Sequence, residues 1–202
     1  MSRGMLIVVS GPSGCGKGTI LQEVLRKGNR LFYSISATTR IPRPGEVEGE
    51  NYFFLTKDAF ERLIEENGML EHAVYCGNYY GTPRAAVEER LEQGCDVILE
   101  IEVQGAMQIK KSCPDALFLF ILPPSVKELR RRLEKRGTET EERIAGRIAA
   151  ATDEIAAAPG YDYIIVNDGL EDAIEDFLLV LRAERLSSRR SAHRVQEVLQ
   201  IQ

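Results

Sequence analysis

Short unbroken apolar runs alternate along this chain with stretches whose apolar residues recur every three or four positions. The run at 5–9, Met-Leu-Ile-Val-Val, closes on Ser10-Gly11-Pro12. An all-apolar run of this length suits a strand buried on both faces of a parallel sheet. Behind the glycines, Ile20, Leu21, Val24 and Leu25 share one helical face, and Gly28 supplies a stop. The opening therefore reads strand, glycine-rich loop, helix. Similar runs at 31–36, 97–103, 116–122 and 163–166 predict four further buried strands. Helical patterns separate several of them, which predicts crossover connections and a parallel α/β sheet.

Ser125-Val126-Lys127-Glu128 follows two prolines and fits a capping box, so a helix is expected through Leu129 and Leu133 to a stop at Gly137. Thr138-Glu139-Thr140-Glu141 is a second such box and predicts a helix toward Ala157. A last long helix is expected after Asn167-Asp168, with Leu170, Ile174, Phe177, Leu178 and Leu181 as its core face. Residues 187–202 read as a polar tail in which Val195, Val198 and Leu199 could continue a helix. Residues 37–95 have another texture: turn formers Pro42, Pro44, Gly45 and Gly49, and a concentration of tyrosines at 33, 52, 75, 79 and 80. Short strands at 52–55, 73–76 and 78–81 around a helix at 58–66 make this a small insertion between the second and third core strands.

Composition narrows the function. The 202 residues are 44% hydrophobic, ample for the core of a single domain. Lys plus Arg total 26 against 31 Asp plus Glu, a net charge of -5. That balance excludes bulk electrostatic attraction to nucleic acid or anionic membranes. An anionic ligand must be held by a local basic cluster. Cys15, Cys76, Cys95 and Cys113 are scattered with no CxxC pair, and His72 and His193 stand far apart, so neither a zinc site nor a disulfide framework is expected. No apolar run approaches the roughly 20 residues of a membrane span, and the start lacks a signal-peptide pattern. The expected compartment is the cytoplasm, with monomer and homodimer both open.

The strongest motif is Gly11-Pro12-Ser13-Gly14-Cys15-Gly16-Lys17-Gly18-Thr19. Glycines let successive backbone N–H groups face one concavity. The following helix adds its positive end, and Lys17 adds a mobile charge. The spacing matches a nucleotide-phosphate loop except that Gly18 stands where a hydroxyl normally reaches Mg²⁺, and Thr19 follows one residue later. Beyond the second strand, Arg40 and Arg43 flank Pro42 and can aim two guanidinium forks at one phosphate, with Tyr52 and Tyr80 as hydroxyl donors. Glu71 can read the two adjacent donors of a guanine edge, with Ser36 and Thr82 available for hydroxyl contacts; adenine would leave such a carboxylate mismatched.

These motifs, together with 99–105 (Leu-Glu-Ile-Glu-Val-Gln-Gly), Pro123-Pro124-Ser125, the 136–142 segment and Val166-Asn167-Asp168, resemble the guanylate kinase family in order from about residue 5 to 186. The resemblance implies a parallel five-stranded P-loop kinase core flanked by helices (1–32, 95–125, 158–186), a small α+β GMP-binding insertion (33–94), a helical lid (126–157) and a tail (187–202). It implies phosphoryl transfer from ATP to GMP and dGMP with Mg²⁺, in purine metabolism. Carried over by position, guanine contacts fall on Ser36, Glu71 and Thr82, GMP-phosphate contacts on Arg40, Arg43, Tyr52 and Tyr80, and an adenine neighbour on Asn167. Two departures stand out. Glu100 and Glu102 replace an aspartate pair, extending each carboxylate by about 1.5 Å; Glu100 is still expected at the acceptor. Thr19, one residue late, is the candidate Mg²⁺ contact.

In the lid, Arg132 and Arg136 are four apart, as are Arg143 and Arg147, so each pair shares a helix face. Arg132, Arg136 and Arg147 match the family's phosphate-contacting positions; Arg130, Arg131 and Arg143 are expected to pair with neighbouring glutamates. Lys17 would hold the donor, Arg40 and Arg43 the acceptor, and the lid arginines would complete a cage that needs no general base. Two other readings remain open from sequence: a non-catalytic phosphopeptide-binding module of the same fold, and a kinase for another monophosphate or ribose-phosphate acceptor.

Overall fold

The computed structural model describes residues 3–135 and 140–200. Five parallel strands form the central sheet: β1 (Leu6–Ser10), β2 (Leu31–Tyr33), and, after the insertion, β7 (Asp96–Glu100), β8 (Leu117–Leu122) and β9 (Tyr163–Val166), in the order β2-β7-β1-β8-β9. Every pairing in this sheet is parallel. The inner runs, β1, β7 and β8, are strands covered on both faces; β2 and β9, also expected to be buried, lie at the two edges of the sheet and are only partly covered. Ile7 and Val9 join Leu117, Leu119 and Ile121 on one face, beneath α1 (Lys17–Lys27) and α7 (Leu170–Leu186). Leu6 and Val8 join Phe118 and Phe120 on the other, beneath α3 (Arg84–Glu92) and α4 (Val103–Ser112). The run expected at 97–103 ends as a strand at Glu100, because Glu102 becomes the N-cap of α4 and Val103 its first residue.

The insertion holds a second sheet of β3 (Ala37–Thr38), β4 (Phe53–Phe54), β5 (Met69–Tyr75) and β6 (Asn78–Pro83), ordered β4-β3-β6-β5. Ala37, Phe60 and Met69 form its own small core with α2 (Lys57–Glu65), which Thr56 caps by accepting the Ala59 N–H at 3.2 Å. β5 starts four residues before the expected 73, and so takes in Glu71. Its hairpin with β6 turns on Cys76 and Gly77, both at positive φ (48° and 76°), the geometry of a two-residue turn that follows strand twist. Helix α3 falls within the range read as insertion, yet its Val87 and Leu91 pack in the central core.

Two helices cover the loop side: α5 (Val126–Lys135) and α6 (Glu141–Ala156), packed through Leu129, Leu133, Ile144 and Ala151. Ser125 caps α5 by accepting the Glu128 N–H at 3.1 Å. The cap of α6 is Thr140, which accepts from the Arg143 N–H at 3.4 Å, in place of the box expected to begin at Thr138. Thr138 and Arg136 lie outside the described residues.

Over its described length the tail expected at 187–202 takes the helical option that Val195, Val198 and Leu199 left open. Ser187 breaks α7 with an extended backbone, and α8 (Ser188–Gln200) follows. Its start is held by Glu184, 8% exposed, which accepts from Arg189 at 2.9 Å and Arg190 at 3.1 Å. Burial raises this carboxyl, but the two arginines outweigh it and hold the group below its ordinary value.

Phe177 is wholly buried between α7 and the sheet. Phe177→Ala is expected to lower stability by about 3–5 kcal/mol, read as a lower urea midpoint at unchanged slope.

Candidate active site

The strand order places β1 at the sheet centre, and the carboxyl ends of β1, β7 and β9 all deliver site residues. Open α/β sheets bind ligands at such an edge. Ser10, fully buried at the end of β1, donates to the Ile101 carbonyl at 2.7 Å and so ties the loop's root to the end of β7.

The loop at 11–16 turns on three glycines with positive φ: Gly11 (151°), Gly14 (97°) and Gly16 (101°). Two of them also lack room for a side chain. A Cβ on Gly11 would lie 2.3 Å from the Ile121 carbonyl, and one on Gly16 2.2 Å from the Asn167 amide nitrogen. Asn167, 6% exposed at the end of β9, donates its Nδ2 to the Cys15 carbonyl at 2.7 Å. Arg132 of α5 donates Nη1 to the same carbonyl at 3.1 Å and Nη2 to the Asn167 carbonyl at 3.0 Å, while its Nε meets Glu128 at 3.0 Å. The Cys15 N–H closes a turn on the Pro12 carbonyl at 3.1 Å, while its own carbonyl is held outward by these two donors. Lys17, the first residue of α1, rests its ammonium on the carbonyls of Gly11 and Pro12. Arg147 of α6 reaches across to donate to the Ser13 hydroxyl.

Arg132 thus has a structural engagement beyond the phosphate contact expected of it. Glu128 fixes it from below; hydrogen bonds from Arg131 and then Arg132 pull that carboxyl down to about 2. Arg130 pairs with Glu134 and Glu141, and Arg131 is bidentate on Glu128 at 2.7 Å, as the sequence led us to expect; Arg143 is exposed. A cleft of about 320 Å³ opens between Gly14, Gly16, Thr19, Arg132, Asn167, Asp168 and Leu170.

Gly18 faces elsewhere. It lines a second hollow, about 270 Å³, with Leu21, Leu25, Tyr33 and Glu100. Thr19 and Glu100 therefore line different cavities and do not make one ligand set. Among the described residues no group of three acidic, histidine or cysteine side chains could hold a metal alone. Mg²⁺ commonly binds through one or two protein groups plus substrate phosphates, and this donor set fits that mode only. Tyr33, at the end of β2, donates to Glu100 at 3.0 Å, which turns the longer carboxylate toward β2. Desolvation and then the Glu100 charge raise the Tyr33 hydroxyl.

On the insertion, Arg40, Tyr52 and Tyr80 come together. The Arg40 guanidinium lies 5.4 Å from the Tyr52 ring centre, and the two tyrosine rings meet edge to face at 6.0 Å. Arg43 is exposed beside them, and Ser36 is half-buried. Glu71, 6% exposed, accepts the Thr82 hydroxyl at 2.7 Å on Oε1. Its Oε2 would lie 2.6 Å from a Cβ on Gly105, so a side chain there would push the carboxylate out of place. Gln108, one turn on, donates to and accepts from the His72 backbone at 2.9 and 3.2 Å, docking α4 to β5. Burial pushes the Glu71 carboxyl up, against the hydrogen bonds from Thr82.

Sequence reasoning missed Tyr33, Glu46, Gly105, Gln108 and Glu128 as parts of the site. Glu46, inside the Pro-Arg-Pro-Gly-Glu turn signature, Gly105, closing the 99–105 motif, and Glu128, in the capping box after Ser125, carried a local signal.

A glycine-walled phosphate loop at the carboxyl edge of a parallel sheet, facing arginines from a helical cover, is the site of a P-loop nucleotide kinase. The chain belongs to the guanylate kinase family, whose sequence profile, described as Guanylate kinase, matches residues 3–184. It is 53% identical over 195 residues to a guanylate kinase of Carboxydothermus hydrogenoformans, covering 96% of each chain. It is 55% identical over 189 residues to one from Streptococcus thermophilus, covering 93% of this chain and 90% of that one. Its fold matches the crystal structure of guanylate kinase from Anaplasma phagocytophilum with a TM-score of 0.76 and 34% identity, over 94% of this chain and 90% of that one.

Cys15 is fully buried beneath the loop, and burial raises its thiol against the pull of Lys17. A raised thiol is mostly protonated and unreactive at neutral pH. Iodoacetamide is therefore expected to label exposed Cys76 first and Cys15 only after unfolding. Timed digests read by mass spectrometry check the order.

Proposed function

We propose that this protein transfers the γ-phosphoryl group of ATP to GMP, and to dGMP, giving ADP and the nucleoside diphosphate. Family membership supports the reaction, and one observation carries the acceptor's identity: a buried carboxylate, Glu71, oriented by Thr82 and walled by Gly105. A carboxylate accepts from both donors of a guanine edge at once, and adenine presents an acceptor where one of those donors would be. Because Thr82 donates its proton to Glu71, it serves to orient that carboxylate, and Ser36 is left as the hydroxyl for the guanine carbonyl.

The donor's phosphates would lie on the loop amides and Lys17, beside Thr19 and under Arg147, with the base toward Asn167. Phosphoryl transfer of this kind is positioning and charge neutralisation, so no general base is required. Lys17 would leave the Gly11 and Pro12 carbonyls for phosphate oxygens. Arg40, Arg43, Tyr52 and Tyr80 would hold the acceptor phosphate in line. Arg132 fixes the loop and presents its remaining N–H groups to the cleft; Arg136 joins this set by its match to the family pattern. Mg²⁺ bound with ATP would supply further neutralisation, held mainly by phosphate oxygens and water, with Thr19 as the chain's candidate contact.

We divide the chain into a core that includes α3, an acceptor subdomain over 33–83 and a lid over 126–157. Among the described residues no helix is long and apolar enough to cross a membrane; a cytoplasmic location accords with the substrates.

A coupled ADP-release assay over GMP, AMP, UMP and ribose 1,5-bisphosphate tests the reading, with GMP the expected acceptor. No GMP-dependent ADP release would point to a binding module instead. Glu71 must be ionised to accept from both guanine donors, and its carboxyl lies above the ordinary 4.5. The inhibition constant of guanosine, which has no phosphate to titrate, should therefore rise on acidification with a midpoint above 4.5. Glu71→Gln should flatten that profile and abolish the preference for GMP over AMP.

A further inference from the structure

The residues 43–46 form a tight turn dictated by their sequence. Pro44 fixes the first corner, Gly45 takes the positive φ (87°) of the second, and the Glu46 N–H closes the turn on the Arg43 carbonyl at 3.0 Å. Proline then glycine at these positions is the signature of a type II turn. The turn folds the Glu46 side chain back over its own start. One carboxylate oxygen accepts from Arg40 Nη2 at 2.8 Å, and the other accepts the Arg43 backbone N–H at 2.7 Å.

Arg40 is fixed on its other arm as well, since Nη1 donates to the Ile41 carbonyl at 2.8 Å. Tyr52 and Phe54 hold the guanidinium at 5.4 and 5.9 Å from their ring centres. The Arg40–Glu46 pair is shielded, with side chains only 15% and 19% exposed. It differs in this from exposed ion pairs, which hold little geometry.

We infer that Glu46 is a positioning residue of the acceptor-phosphate clamp: it sets the Arg40 fork and the Arg43 backbone in register before the acceptor arrives. The inference rests on the acceptor reading given above. A phosphate meets a guanidinium whose plane is already fixed, so little side-chain entropy is lost on binding. The role needs both oxygens as acceptors. An amide offers one oxygen and a misplaced N–H₂, and alanine offers nothing.

Opposite signs separate this role from its rival. Glu46 also puts a negative charge beside an incoming dianion. Were it only a stand-in anion occupying Arg40, removing the charge would strengthen acceptor binding. If it positions the clamp, removing it weakens binding.

The test is steady-state kinetics of the full chain with ATP and GMP for wild type, Glu46→Ala and Glu46→Gln, with guanosine as a competitive inhibitor that lacks the phosphate. The expected result is a rise of about 10- to 100-fold in the KM for GMP in both variants, the scale of losing charged hydrogen bonds. The KM for ATP and the inhibition constant of guanosine should stay at wild-type values. An unchanged or lowered KM for GMP overturns the inference, as does a guanosine constant weakened as much as the KM for GMP, which would mean general collapse of the subdomain. Wild type that uses no GMP would instead remove the acceptor reading itself.

Discussion

One carbonyl group organises the donor half of this molecule. A phosphate cradle works only if its peptide N–H groups face inward, which forces the carbonyls outward toward groups able to receive them. The Cys15 carbonyl is received twice, by Asn167 from the end of β9 and by Arg132 from α5, at 2.7 and 3.1 Å. These donors lie 152 and 117 residues from it along the chain, so the loop's shape is a tertiary property, although its glycines are local. Gly16 is the other half of the same arrangement, since the space its side chain would fill is where the Asn167 amide stands.

The acceptor half follows a similar logic with different parts. Glu71 is costly to bury, and it is tolerated because Thr82 donates to one oxygen while Gly105 makes room for the other. Arg40 is set by Glu46 and two aromatic rings. In both halves the candidate side chains are held by a second group with a single geometry, drawn from a neighbouring element for Glu71 and from the same loop for Arg40. Function in such a site is mostly the prior arrangement of charge.

The core was legible because a strand covered on both faces needs an unbroken apolar run, and few other structures do. Its ends were less so. The 97–103 run keeps an apolar-polar alternation past Glu100, and nothing local reveals that Glu102 caps a helix. The Thr138 and Thr140 frames overlap, and side-chain geometry chose the second. Residues 188–200 read as polar because their apolar positions stay exposed; the helix is held at its start by Glu184, whose pairing with Arg189 and Arg190 needs the fold.

Candidate residues were legible where a side chain stands in a recognisable local setting: Lys17 in its loop, Arg40 beside its proline, Glu71 ahead of its hairpin. What no local pattern could supply was the partner of each. Tyr33 meets Glu100 only when β2 and β7 lie side by side, and Arg132 looks from sequence like any lid arginine. The longer acid at Glu100 was visible as a departure, but its turn toward Tyr33 was not.

The pairing of Gln108 with the His72 backbone has a bearing on how the chain behaves in a crowd. β5 is the outer strand of the smaller sheet, and an outer strand with unmet peptide groups is a template on which a stray extended segment can add itself. The Gln108 amide imitates a passing strand for one residue, and α4 lies against that border. The border beside Glu71 is thereby met at His72 by a side chain that satisfies its peptide groups, which leaves a stray strand less to pair with there.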